Sequence, residues 1–386
     1  MSAVFERPTL WQRLRPLLGG FDGMLATVAL VLAAAGLLTM YSAGFDHGTR
    51  FVDHGRNMLI ACLLMLVIAQ IPPQKLMGLA VPLYVVGVVL LLLILVPGLG
   101  VTKKGATRWL NLGVVIQPSE ILKIAMPMML AWWFQKREGR LQAMDFVIAA
   151  ALLLVPVGLV VKQPDLGTAI LIFSAGFYVI FFAGLSWKLI VPVLVLGLAA
   201  VAAVVISADA ICQPEVPWPL LRDYQKHRVC TLLDPTTDPL GKGFHIIQGM
   251  IAIGSGGVTG KGFMNGTQTH LEFIPERTTD FIFAAFGEEF GLLGAAGLLI
   301  GFTLLILRGL MIAAEAPTVF TRLLAGAVTL SFFTYAFVNM GMVSGILPVV
   351  GIPLPFISYG GTAMVSLGLG LGVLMSIARS RTLMQS

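Results

Sequence analysis

The residues best suited to chemistry lie within 232–289, the largest polar island in a very apolar chain. This stretch is rich in Gly, Thr and Pro. It ends in PERTTD, which runs directly into FIFAAFGEEFGLLGAAGLLIGFTLLIL. Glu276, Arg277 and Asp280 therefore stand where an irregular segment meets an apolar one. Ionisable side chains are costly at such a boundary and usually mark a functional site. Asp280 is the centre of that cluster. The structural alternative is an N-cap for the helix that follows, a task Thr279 would perform almost as well. Glu288 and Glu289, further in, suit packing or transport.

Two other connections carry charge in the same way. The stretch RWLNLGVVIQPSEILK supplies Arg108, Trp109, Glu120 and Lys123. An amphipathic ring such as that of Trp109 suits a membrane interface. Pro118 is placed for a first helical turn, where the negative charge of Glu120 complements exposed backbone N–H groups. Glu120 and Lys123 are three residues apart and share a helix face. At the start of a spanning helix they are costly unless paired or facing a polar cavity. The short turn KQPDLGTA supplies Asp165, either a helix cap or a functional carboxylate. Asp46-His47 and Asp53-His54 have the residue types of metal ligands, but a solvated loop accounts for them. Gly241-Lys242-Gly243 and Gly260-Lys261-Gly262 look like phosphate loops. They lack the GxxxxGK spacing and a preceding strand, so no nucleotide site is expected.

These residues need a scaffold, and composition says which kind. The 386 residues are 57% hydrophobic and 11% charged, with a mean hydropathy of +0.92. A soluble domain carries about 25% charge. Repeated apolar stretches near twenty residues make this an all-α polytopic membrane protein, in one integral membrane domain over 1–386. A β-barrel would alternate apolar and polar residues and would not give continuous runs such as 81–96. Ten spans are expected, at 21–41, 57–71, 77–96, 119–134, 145–162, 167–184, 189–209, 281–307, 323–346 and 360–378. Pro127 and Pro156 are candidate kinks. The first apolar run is too long for a signal-peptide core and is expected to stay as a helix.

An even number of spans puts both termini on one side. Termini and even-numbered short connections hold twelve Lys and Arg, against six in the opposite short connections. The positive-inside rule then places both termini in the cytoplasm and the 210–280 loop, between spans seven and eight, outside. The net charge of +6 is scattered, with no basic stripe and no interleaved aromatics. It fits membrane orientation and anionic lipid, and nucleic acid is not expected as a partner. Of the three cysteines, Cys62 is expected in the packed core. Cys212 and Cys230 form a possible disulfide across the outer loop. Within that loop, RDYQKHRVC is potentially helical, and 242–265 suggests a re-entrant or surface helix followed by a flexible loop. GILPVVGIPLPFISYGG cannot be one helix and is expected to be a packed, broken segment.

Several of these stretches together carry a family resemblance. NMGMVSGILPVVGIPLPFISYGGTA, LLDPTTDPLGKGFHIIQGMIAIGSGGVTGKG and GTQTHLEFIPERTTDFIFAAFGEEFG, supported by RWLNLG…QPSE and KQPDLGTA, resemble the SEDS membrane proteins of bacterial shape, elongation, division and sporulation. The resemblance covers almost the whole chain. The short N-terminal tail and KQPDLGTA favour the elongation branch. It implies ten helices with a large extracytoplasmic loop between the seventh and eighth, and a peptidoglycan glycosyltransferase that polymerises lipid II. It also implies a single-pass class B penicillin-binding transpeptidase and other elongation proteins as partners. The family's essential aspartate maps onto Asp280, and further important positions map onto Trp109, Glu120, Lys123 and Asp165.

On that resemblance Asp280 is expected to act as general base toward a sugar hydroxyl, with Glu276 near enough to tune it. Charge on a pyrophosphate leaving group would be met by Arg108, Lys123, Arg277 or Lys261, or by a divalent cation such as Mg2+ or Mn2+. The rival functions are a flippase for the same lipid and a non-catalytic scaffold that activates a penicillin-binding protein.

Overall fold

The computed structural model describes residues 21–385 except 47, 97, 104–105, 112, 114, 214–215, 217, 219–222, 239–240 and 275. Among the described residues, ten helices of seventeen residues or more form the body. They are α1 (Gly23–Ala43), α2 (Arg50–Ala69), α3 (Pro73–Ile94), α4 (Pro118–Lys136), α5 (Ala143–Lys162), α6 (Leu166–Phe182) and α7 (Trp187–Ile206), then α12 (Ile282–Ala314), α13 (Val319–Val343) and α14 (Gly361–Gln385). Eight are long and apolar enough to cross a membrane, and α6 is a shorter apolar helix. Helix α4 carries Glu120, Lys123 and Lys136. Pro127 and Pro156 sit inside helices, while the one marked dihedral break among these helices falls at Gly291 of α12.

The body is held by apolar packing and by a few polar ties at helix ends. Asp22 caps α1 by accepting from Leu25 N at 2.9 Å, and Arg308 of α12 grips the same carboxylate with Nε at 2.9 and 3.0 Å. Close packing of α2 on α14 depends on small residues. A Cβ on Gly368 would come within 2.5 Å of the Ala61 carbonyl oxygen. Helix α13 buries most of its length, from Phe320 to Val343. Helix α7 buries none of its residues. Cys62 is exposed on α2, so the expectation of a core cysteine is corrected. Facing lipid costs an apolar thiol nothing, so hydropathy alone cannot separate the two positions.

The connection before α4 is more ordered than its glycines suggest. Strands β1 (Gly100–Lys103), β2 (Ala106–Asn111) and β3 (Val115–Ile116) form an antiparallel sheet in that order, with Val101 opposite Trp109 and Leu110 opposite Ile116. The β-branched residues Val101, Thr102, Thr107, Val115 and Ile116 favour this conformation.

Between α7 and α12 lie α8 (Ala208–Ile211), α9 (Asp223–Leu233), a 3-10 turn (Pro235–Thr237), α10 (Lys242–Gly256) and α11 (Thr267–His270). Cys212 and Cys230 are joined by a disulfide, Cα to Cα 5.6 Å. Helix α10 folds back along α12. Gly291 has φ 63° and ψ −161°, a conformation open essentially to glycine alone, and there α12 is interrupted. The interruption frees backbone groups on both sides, and the loop after α10 satisfies them. Lys261 N and Gly262 N donate to the Glu288 and Glu289 carbonyls at 3.0 and 2.9 Å. Leu292 N and Leu293 N donate to Gly257 O and Val258 O at 2.9 and 3.0 Å. A broken helix within a membrane is tolerated when neighbouring protein supplies such partners.

Candidate active site

The turn 276–280 ends one residue short of the α12 N-cap, which is Phe281 and has no side-chain cap. Thr279 Oγ1 donates to Glu276 Oε2 at 2.6 Å, and Thr279 N and Phe281 N both donate to Glu276 O at 3.1 Å. These bonds close the turn on itself. They leave Asp280, half-buried, at its last position.

Three elements hold this turn from outside. Tyr359 N donates to Thr278 O at 2.8 Å. Arg50, at the start of α2, donates to Thr278 Oγ1 and lies over the Tyr359 ring, 5.4 Å from its centroid. Asn339 of α13 donates through Nδ2 to Asp280 O at 2.9 Å and to Ile352 O at 2.7 Å. The irregular segment 344–360 thus lies against the turn. A Cβ on Gly351 would sit 3.3 Å from Asp280 Oδ2.

The same segment reaches the second charged group. A Cβ on Gly167 would meet Val350 O at 2.8 Å, which sets the start of α6 beside Gly351. Asp165 is the N-cap of α6, accepting from Thr168 N at 3.3 Å. It also accepts from Gln117 Nε2 at 3.3 Å and lies 3.7 Å from Arg108 Nη1. Arg108 Nη2 donates to Pro164 O at 2.6 Å. Successive strand residues face opposite ways, so β2 turns Arg108 toward Asp165 and the half-buried Trp109 to the other face. Glu120 and Lys123 pair at 2.7 Å. Ser366 of α14 donates to Glu120 Oε2 at 3.0 Å, and Lys123 lies 5.6 Å from the Tyr335 ring centroid. Lys123, Tyr335 and Ser366 also border a small, mostly apolar cavity that Glu120 does not line, so the two charges are paired with each other.

Two of the expected cations are engaged elsewhere. Arg277, 3% exposed, donates through Nε to Ala43 O at 3.0 Å and through Nη2 to Asp46. Lys261 Nζ binds Glu288 Oε1 at 2.7 Å and Thr267 Oγ1 at 2.6 Å. Glu288 is fully buried and accepts further bonds from Gln268 N at 2.9 Å and Thr269 N at 3.2 Å. That set of bonds ties the loop before the active turn to α12. Glu289 accepts from Ser42.

Sequence reasoning missed Arg50, which counted there only as a loop charge, and Asn339, which hides in an apolar helix. The Asp-His pairs do not converge. Asp53 pairs with Arg56 at 3.0 Å, His54 is buried in α2, and His47 lies outside the described residues. Among the described residues no three His, Cys, Asp or Glu side chains gather to hold a metal ion. A cation shared with a pyrophosphate substrate needs only one or two protein carboxylates, and the mechanism proposed here is routed through protein groups alone. A cavity of about 760 Å3 lies not at Asp280 but beside the disulfide, bordered by Asp209, Asp223, Lys226 and His227.

Comparisons with known proteins bear on this geometry. Residues 22–383 match the family described as Cell cycle protein, FTSW_RODA_SPOVE. The chain is 46% identical over 381 residues to Peptidoglycan glycosyltransferase MrdB of Escherichia coli (strain K12), covering 98% of both chains. It is 33% identical over 369 residues to the Probable peptidoglycan glycosyltransferase FtsW of Geobacter metallireducens, covering 93% of this chain and 94% of that one. Among solved structures it is similar to a chain from "Structural coordination of polymerization and crosslinking by a peptidoglycan synthase complex", with a TM-score of 0.75 and 33% identity over 94% of this chain and 98% of that one. It is also similar to the Rod shape determining protein RodA of Thermus thermophilus, with a TM-score of 0.66 and 26% identity over 94% and 97%. With the helical body matched from end to end, the chain belongs to the FtsW, RodA and SpoVE family, the SEDS family that its motifs resemble, and within it resembles the rod-shape RodA proteins.

Proposed function

We propose that this protein is a peptidoglycan glycosyltransferase of the bacterial inner membrane that polymerises lipid II during lateral wall elongation. The observation that carries the mechanism is the half-buried Asp280 carboxylate beside the bare Cα of Gly351, with Arg50, Glu120 and Lys123 near helix starts and Arg108 on β2. Charge counts favour cytoplasmic termini, which puts these helix starts outside, where a lipid-borne sugar is presented.

In the reaction Asp280 takes the proton of the C4 hydroxyl on the acceptor's N-acetylglucosamine. That oxygen attacks the anomeric carbon of the growing chain. The bond from that carbon to undecaprenyl pyrophosphate breaks, with inversion. A general base of this kind contributes about 10²- to 10⁴-fold. The pyrophosphate leaves with added negative charge, which a fixed cation stabilises. Arg108, Lys123, Arg277 and Lys261 each have a carboxylate partner. Arg50 pairs with a hydroxyl and a ring and with no carboxylate among the described residues. It is the cation best placed to meet the leaving group.

The test is polymerisation of labelled lipid II by purified protein in detergent, with wild type and Asp280→Asn, with and without chelator. Strands made by wild type and lost in Asp280→Asn, with melting unchanged, support the reading. Activity retained by the variant removes Asp280 as the base. Detergent abolishes membrane sidedness, so strand formation separates an enzyme from a flippase. Adding a class B penicillin-binding protein separates an enzyme from a scaffold, and loss with chelator would bring in a divalent cation carried by the substrate.

A further inference from the structure

Asp280 sits outside the α12 N-cap, so its carbonyl is beyond the intrahelical bonding pattern. Ile352 lies in the irregular segment 344–360, where the same is true. Both carbonyls are met by one side chain. Asn339 is 0% exposed, and its two Nδ2 hydrogens reach Asp280 O at 2.9 Å and Ile352 O at 2.7 Å. The amide orientation follows from its partners. A flipped amide would set its oxygen against two carbonyl oxygens. Its Oδ1 has no protein partner, and leaving a buried acceptor unmet is costly. A carboxamide held at that cost has its use in the two donated bonds.

Those bonds have a geometric consequence. They fix the backbone on both sides of the contact between Asp280 Oδ2 and Gly351. Gly351 has φ +78°, and a Cβ there would stand only 3.3 Å from Asp280 Oδ2, so glycine lets the two loops approach this closely. We infer that Asn339 is a positioning residue for Asp280: it clamps the backbone of the 276–280 turn to the 344–360 segment, so that the carboxylate is held against Gly351. The inference rests on the reading of Asp280 as base. Asn339 touches no substrate and acts only through the register of two loops. A displacement of about 1 Å at a catalytic group costs about 10²-fold in rate.

The experiment is steady-state lipid II polymerisation by the full chain in detergent, comparing wild type, Asp280→Asn, Asn339→Leu, Asn339→Asp and Gly351→Ala, each with its melting temperature. Asn339→Asp keeps the shape and removes both N–H donors, leaving at most the single O–H of a protonated carboxyl to meet two carbonyls. Both Asn339 variants are expected to lose about 10²-fold in kcat with KM within about threefold of wild type. Gly351→Ala keeps Asn339 but crowds Asp280 Oδ2 from 3.3 Å, and is expected to show the same loss confined to kcat. A folded Asn339→Leu with wild-type kcat overturns the inference. So does a loss carried by KM, or one that vanishes when the assay is moved well below the variant's melting temperature. If neither Asn339 variant folds, Gly351→Ala still reads the same carboxylate, and an unchanged kcat there overturns the proposal. Activity in Asp280→Asn brings down the base and this inference together. Its loss there, with full activity in a folded Asn339→Leu, brings down the inference alone.

Discussion

Helices α13 and α7 are both apolar and both long enough to span, yet they are held in opposite ways. Helix α13 is enclosed by its neighbours and buries residues along its whole length. Helix α7 has the higher hydropathy, 3.0 against 1.6, and buries nothing. Hydropathy is the same whether an apolar side chain meets lipid or protein, because lipid tails are as apolar as leucine. Packing is what differs. The contacts described for the Asp280 turn come from Asn339 of α13, from the 344–360 segment that leads from α13 to α14, from Arg50 at the start of α2 and, through Arg277, from Ala43 at the end of α1 and Asp46 beyond it; none of those described comes from α7. Helix α7 follows α6 after a four-residue connection, 183–186, with the Trp187 ring edge-on to Phe181 at 5.6 Å, and leads on through α8 to the disulfide and α9.

The largest effect on this contrast is expected from Glu288→Leu. This carboxylate is fully buried and binds Lys261 and the backbone of Gln268 and Thr269. Replacing it strands the part-buried Gln268 N–H and the buried Thr269 N–H, each worth about 1–3 kcal/mol when left unmet. Melting in detergent should fall by many degrees, and proteolysis should open the chain between α10 and α12. A Glu288→Leu protein that melts like wild type would show that this loop is not part of the enclosed body. A pair of truncations comes next. Phe332, 2% exposed in α13, should cost roughly 2 kcal/mol as Phe332→Ala. In lipid the transfer gain mostly cancels, and the cavity cost remains. Leu198, 62% exposed on α7, should cost less than about 0.5 kcal/mol as Leu198→Ala. Equal losses from the two would erase the distinction.

How much of this was legible in the sequence follows the same divide. The ten long helices were visible because each needs a long apolar run, and nothing but a helix satisfies its backbone in lipid. Asp280, Glu120, Lys123 and Asp165 stood out at or beside helix starts because charge is rare in such a chain. Partners were not. Arg277 finds Asp46 across 231 positions and Lys261 finds Glu288 across 27, and no local pattern pairs them. The sheet 100–116 was hidden because its strands are short and broken by glycine. The interruption at Gly291 was hidden because hydropathy carries no dihedral information. Asn339 was quoted within a motif, yet its role depends on two carbonyls that come together only in the folded chain.

The smallest effect is expected from the disulfide. In a chain that unfolds as one unit, removing a cross-link of this loop size costs about 3 kcal/mol. Here the bond joins Cys212, just past α8, to Cys230 of α9, and α7 on one side of it has no buried face to lose. Segments with little burial open on their own, below the global transition. Cys212→Ser should therefore leave the main melting transition within about 0.5 kcal/mol of wild type, and lipid II polymerisation close to unchanged, while protease cleavage within 207–234 rises. If instead the whole protein melts several degrees lower, α7 and the loop beyond it unfold together with the body. The contrast between an enclosed α13 and a tethered α7 would then be one of burial only, with no consequence for stability.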